Sequence, residues 1–236
     1  ALSGHQLGLN GAILLDDERF LTWSGDTTLR LWDTAGNPIA TLSGHTDDIY
    51  GAIALKNGSL LSWSGDNTLR LWDTAGNLIN TLSEHTDDID GVVALVDDRL
   101  LSWSADGTLR LWDANGNPIS TLFGHTGRVN GVVLLVDGGF LSWSEDTTLR
   151  LWDANGNSLT TLVGHWGVNG ATVLHDNRLL SWGWDGVLRR WDNSEKPMTI
   201  LSGHTDWVNG AIVLADDRLL SWSSDDSLRL WNRDGE

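Results

Sequence analysis

The chain has 236 residues, with 27 Gly, 3 Pro, no Cys, and a formal net charge of −17 from 15 basic and 32 acidic side chains. A hydrophobic fraction of 40 % is enough for a sizeable core, and no apolar run approaches the roughly 18 residues of a membrane span. The absence of cysteine excludes disulfides, thiol nucleophiles and thiolate metal sites. The acidic balance opposes a general affinity for nucleic acid or anionic membrane. No signal-peptide pattern is present; that and the lack of cysteine suit the cytoplasm without fixing a compartment. Fifteen Trp against 3 Phe and 1 Tyr is a biased count, which points to one unit copied several times.

The copies are found by their landmarks. Histidines recur at His5, His45, His85, His125, His165 and His204, and late tryptophans at Trp32, Trp72, Trp112, Trp152, Trp191 and Trp231. The spacing is 40 residues, except 39 between the fifth and sixth copies, where GHWGVNG replaces forms such as GHTGRVNG. The second copy shows four predicted strands in order. Ala52 to Leu55 follows the histidine loop, and a turn at Lys56-Asn57-Gly58 leads to Leu60 to Ser64. A second turn, Gly65-Asp66-Asn67, precedes Thr68 to Asp73, and Gly76-Asn77 precedes Leu78 to Leu82. Strands of four to six residues with turn signals every ten or so predict an all-β chain. No segment holds a 3.6-residue period long enough for a helix. Four antiparallel strands per unit, six times over, is the arithmetic of a β-propeller, in which each sheet buries its faces against its neighbours.

These residues resemble the WD-repeat β-propeller family over the whole chain. The resemblance is carried by Gly-His at the start of each unit and Trp-Asp at the end of the third strand, with Glu84 replacing the glycine in copy three and Asn232 the aspartate in copy six. An Asp stands six residues before every late Trp: Asp26, Asp66, Asp106, Asp146, Asp185 and Asp225. Four residues before each Asp is a hydroxyl: Thr22, Ser62, Ser102, Ser142, Ser181 and Ser221. The resemblance implies a single six-bladed propeller domain over residues 1–236, with a hydrogen-bonded line in each blade from Asp to His to hydroxyl to Trp indole. Those groups are complementary donors and acceptors. This chain also carries Trp23, Trp63, Trp103, Trp143, Trp182 and Trp222 beside the hydroxyls, where the family usually has a small residue. A strand points neighbouring side chains to opposite faces, so these are read as wedges between blades. After Trp231 only five residues remain, and only Ala1 to Gly4 precede His5. The last blade is therefore either completed by the N-terminus, with Ala1 to Ser3 as the clasp, giving a monomer, or left open at its edge, giving an oligomer.

Six-fold repetition and commitment to a hydrogen-bond line argue that the His, Ser and Asp groups are scaffold, not catalytic or metal-ligating, and no cofactor motif occurs. The informative positions are those that vary on a fixed scaffold. The histidine loop and the turn between strands two and three are joined by the His–Asp bond and share one face. On it fall Trp166, Trp184 and Trp207, with Arg128 and Glu145 beside them and an acidic group elsewhere: Asp47, Asp48, Asp87, Asp88 and Asp90, with Tyr50. Exposed Trp and Arg are typical anchors of binding hot spots. The expectation is a non-catalytic module binding a basic or apolar protein segment, without nucleic acid, membrane, metal or cofactor. A carbohydrate-binding propeller and an assembly module without a ligand are the alternatives.

Overall fold

The structure is a computed structural model that describes residues 3–192, 196–233 and 235. Among these residues the regular elements are all strands. The chain divides into two compact units, residues 1–121 and 122–236.

The first unit holds three four-stranded antiparallel sheets, each in chain order. They are β1 (Leu9–Leu14), β2 (Phe20–Ser24), β3 (Thr28–Trp32) and β4 (Pro38–Ser43); β5 (Ile49–Ala54), β6 (Leu60–Ser64), β7 (Leu69–Trp72) and β8 (Leu78–Leu82); and β9 (Ile89–Ala94), β10 (Leu100–Ser104), β11 (Leu109–Trp112) and β12 (Pro118–Leu122). The second unit holds β13 (Val129–Leu134), β14 (Phe140–Ser144), β15 (Thr148–Trp152) and β16 (Ser158–Val163), then β17 (Val168–Val173), β18 (Leu179–Gly183), β19 (Val187–Trp191) and β20 (Thr199–Ser202). Its third sheet has only β21 (Val208–Val213), β22 (Leu219–Ser223) and β23 (Leu228–Trp231). Among the described residues no fourth strand pairs with β23. Of the expected clasp, Ala1 and Leu2 lie outside the described residues.

The first strand of each blade begins earlier than predicted, at Ile49 rather than Ala52 in the second copy. The cause is a bulge: Ile49 faces Ser64 while Gly51 faces Trp63, so Tyr50 is extruded towards the loop face. That irregularity hides the alternation on which the sequence reading relied. The tight turns are also less dependent on glycine than expected. Copies two and four use Gly58 at φ 84° and Gly138 at φ 86°, but the equivalent positions in the other four copies are Glu18, Asp98, Asn177 and Asp217, all at φ of 63–66°.

Consecutive sheets within each unit pack face to face. Leu61, Leu69, Leu71 and Leu82 of the second blade meet Ile89, Val92, Leu100 and Trp112 of the third. The same pattern joins the first blade to the second, the fourth to the fifth and the fifth to the sixth. The wedge reading of the second Trp set holds at these junctions, where Trp23, Trp63, Trp143 and Trp182 pack into the clusters. Each wedge indole covers a glycine on the neighbouring strand. A Cβ placed on Gly51 would sit 2.0 Å from Trp63 Cζ2, and one on Gly131 would sit 2.2 Å from Trp143 Cζ2. The equivalent pairs are Gly11 with Trp23, Gly91 with Trp103, Gly170 with Trp182 and Gly210 with Trp222. The large residue and the missing side chain are two halves of one packing unit.

This pairing predicts an asymmetric effect of the smallest substitution. Gly131→Ala forces the Trp143 ring to move and costs about 1–3 kcal/mol. Gly8→Ala meets nothing within 4 Å and stays within about 0.5 kcal/mol of the parent. Urea unfolding followed by Trp fluorescence measures both.

Candidate functional site

In all six blades the expected line of polar groups is present, with contacts of 2.8–3.1 Å. In the second blade the Trp72 indole N–H donates to Ser62 Oγ at 2.9 Å, and the Ser62 hydroxyl lies 2.8 Å from His45 Nε2. His45 Nδ1 lies 2.9 Å from Asp66 Oδ2. An indole N–H only donates and a carboxylate only accepts, so one direction satisfies every member: Ser62 O–H donates to Nε2, and Nδ1–H donates to Asp66. Sequence reading missed a further donor. Thr68 Oγ1 donates to Asp66 Oδ1 at 2.6 Å, and the N–H of Thr46 donates to Oδ2 at 2.9 Å. The signal was a hydroxyl two residues after the Asp in every copy but the fifth, which has Val187. The line consumes the His, Ser and Asp groups in each blade. Among the described residues no three His, Asp or Glu side chains gather as a metal site.

The second hydroxyl, two residues before the Asp, has a separate role. Ser64 Oγ donates to the Asp47 carbonyl at 3.0 Å and accepts the Asp66 N–H at 3.1 Å, tying the histidine loop to the turn. Blade five breaks this pattern in a coordinated way. Its loop is one residue shorter, which brings the Gly167 carbonyl inward; a Cβ on Gly183 would lie 2.1 Å from that oxygen and 2.9 Å from His165 Nδ1. Glycine is therefore required where other blades carry serine. With valine at position 187 in place of the hydroxyl residue of the other copies, Arg189 Nη1 donates to Asp185 Oδ2 at 2.6 Å.

The electrostatics follow. Burial opposes ionisation of Asp66, Asp106 and Asp146, yet hydrogen bonds from the His, the Thr hydroxyl and the loop N–H outweigh it and hold these carboxyls well below the usual range. His165 is held below its ordinary value by burial, against the hydrogen bond to Asp185 and with help from the Arg189 charge.

Blade five also concentrates the variable aromatics. Trp184 follows Gly183 in the turn, and its ring covers Gly167, where a Cβ would approach to 2.6 Å. Its N–H donates to Asn169 Oδ1. The ring stacks on Trp207 of blade six, with centroids 5.3 Å apart and planes 22° apart. Trp166 is 83 % exposed. Trp166, Trp184 and Trp207 line one cavity of about 340 Å³ together with Asp185, Gly186, His204, Thr205 and Asp206. The sequence paired Trp166 with Trp184; the structure puts both at this cavity but stacks Trp184 on Trp207. Of the other candidates, Arg128 and Glu145 are adjacent through the Glu145 N–H to Arg128 carbonyl bond of 3.0 Å. In the first unit Tyr50 Oη donates to Asp88 Oδ2 at 3.4 Å and lies over Gly65. Burial, and then the charges of Asp88, Asp47 and Asp48, push the Tyr50 hydroxyl above its ordinary value. Asp47, Asp48 and Asp87 are exposed, and Asp88 and Asp90 half-buried.

The family model for the WD domain, G-beta repeat, matches residues 36–73, 76–113, 116–153 and 195–232. The chain belongs to the WD-repeat family. The stretch between the third and fourth of these WD matches contains β17 to β19 of blade five, with its shortened loop and Arg189 in place of a hydroxyl donor. Among solved structures, the WD40 β-propeller domain of Doa1 is similar at a TM-score of 0.62 and 23 % identity, over 97 % of this chain and 94 % of that one. No curated protein matches significantly. WD-repeat propellers generally serve as protein-interaction scaffolds and are typically non-catalytic.

Two outcomes follow from the geometry. Gly183→Ser restores the residue of the other five WD repeats, yet it is expected to destabilise by about 1–3 kcal/mol, because the side chain meets the Gly167 carbonyl; urea unfolding measures it. Stability also depends on pH in two steps. His165 has a depressed folded value, so its contribution is complete above about pH 6.5 and declines as pH falls below it. The line aspartates are depressed as well, so theirs is complete above about pH 4 and is lost on further acidification. Unfolding midpoints at several pH values should show a shallow loss and then a steep one; a midpoint flat from neutral down to about pH 3 is the contrary result.

Proposed function

We propose that this WD-repeat chain is a non-catalytic interaction module that takes a protein segment bearing basic and apolar side chains at the loops of blades five and six. The observation that carries this reading is the aromatic cavity formed by Trp166 with the stacked pair Trp184 and Trp207. Three large, partly exposed indoles offer apolar contact area at low entropic cost. Their faces attract a Lys or Arg side chain through the ring quadrupole. Asp206, exposed at the same cavity, and the net charge of −17 reinforce the preference for a cationic partner. The acidic group around Tyr50 in the first unit extends that preference. The order of the pocket also supports the reading. Trp184 is held by stacking, by its N–H bond to Asn169 and by the glycine beneath it, so little rotamer freedom remains to be lost on binding.

A random-peptide display selection on the native chain, counter-selected on a Trp166→Ala/Trp184→Ala variant, tests this. Peptides rich in Lys or Arg beside apolar residues should enrich, and Trp184→Ala should weaken them about 30-fold or more, the loss expected of a central Trp anchor. Affinity should also fall with added salt. Peptides that bind the doubly substituted variant equally well would place the site elsewhere.

A further inference from the structure

One core position of blade five breaks the repeat. The third strand of the other copies carries Leu31, Leu71, Leu111, Leu151 or Leu230 just before the late Trp, whereas blade five has Arg190 before Trp191. Leu31, Leu71 and Leu151 are buried members of the apolar clusters between blades. Arg190 is buried to the same degree, at 5 % exposure. Its Nη1 donates to the backbone carbonyl of Arg233, just after β23. A carbonyl is neutral, so this bond positions the guanidinium without cancelling its charge. A guanidinium in a leucine position trades apolar packing for a fixed fork of donors.

Beside Arg190 lies a cavity of about 380 Å³, between blades five and six of the second unit. Leu174 and Val213 give it an apolar side that continues the cluster joining these blades. Its rim carries two carboxylates, and each already has a cation. Arg178 Nε donates to Asp176 Oδ2 at 2.7 Å. Asp217 Oδ1 lies 2.7 Å from His175 Nδ1, and Asp217 Oδ2 lies 3.2 Å from Arg233 Nη2. The charge of Asp192 also reaches Arg178. Three guanidiniums therefore line the cavity against two carboxylates, before His175 is counted. That is a local positive excess in a chain of net charge −17. The cavity opens by the turn between β17 and β18, at the opposite end of β18 from Trp184. It is separate from the aromatic cavity, and its occupant does not depend on the peptide-binding reading.

We propose that this cavity binds a small organic monocarboxylate. The carboxylate lies against the Arg190 guanidinium, flanked by Arg178 and Arg233, and the apolar body of the ligand lies on Leu174 and Val213. The planar fork of an arginine matches the two oxygens of a carboxylate. A phosphate would bring a second negative charge towards Asp176 and Asp217, so the singly charged group fits better. The volume is within the range of small-molecule sites, roughly 300–1,000 Å³.

Benzoate is the probe, titrated into the native chain at low salt and followed by ligand-observed NMR. Benzamide, of the same shape without the charge, and phenyl phosphate are the comparisons. Benzoate should bind saturably and more tightly than either. Arg190→Leu installs the residue of the other copies, so it should fold with a urea midpoint no lower than the parent's. It should weaken benzoate about tenfold or more, the loss expected of a charge-assisted contact. Arg178→Gln, at the half-buried rim, should weaken benzoate by a smaller factor, and it carries the test if Arg190→Leu does not fold. The Trp166→Ala/Trp184→Ala variant should bind benzoate as the parent does. Absence of saturable benzoate binding, equal binding of benzamide, or affinity unchanged by either arginine substitution overturns the proposal. Loss of benzoate in the double-Trp variant overturns it as well, by moving the ligand to the aromatic cavity. Tighter binding of phenyl phosphate overturns the assignment to a singly charged group.

Discussion

The hydroxyl in the middle of each second strand is the group on which the blade depends. Ser62 is wholly buried, between a tryptophan that only donates and a histidine that has a proton to place. Its oxygen takes the first and its hydrogen serves the second. Leaving a buried polar partner unsatisfied costs about 1–3 kcal/mol, and loss of this one hydroxyl would strand two. The line also does geometric work. It runs from the third strand through the second to the histidine loop and on to the turn, so four separate segments are fixed by one chain of bonds. Loops held this firmly can change their other residues without loosening the fold. That is why variation gathers there.

Blade five shows how far the line can be altered while it survives. One deleted residue brings a carbonyl inward; the carbonyl excludes the serine; and Trp184, next in the chain, folds over Gly167. Valine at position 187 removes a hydroxyl donor, and Arg189 replaces it with a charge-assisted one. None of these changes makes sense alone. Together they hold both Asp185 and His165 below their ordinary values while building, with Trp207 of blade six, the aromatic cavity. The Arg189 charge helps depress His165, so the proton stays where the line needs it.

The repeat, the strand count and the polar line were legible in the sequence because each rests on residue type at a fixed spacing. A Trp, a Ser, a His and an Asp with matched donors and acceptors leave few arrangements open. The wedge tryptophans were legible for the same reason, through strand alternation. Their partners, Gly51 and its equivalents, were not, because a glycine in a strand carries no sign of what lies over it. The bulge at Tyr50 was hidden by the same glycine. In the loops, Trp166, Trp184 and Trp207 stood out by composition, but stacking is a relation between two blades. Spacing within one copy could not say that Trp184 would choose Trp207.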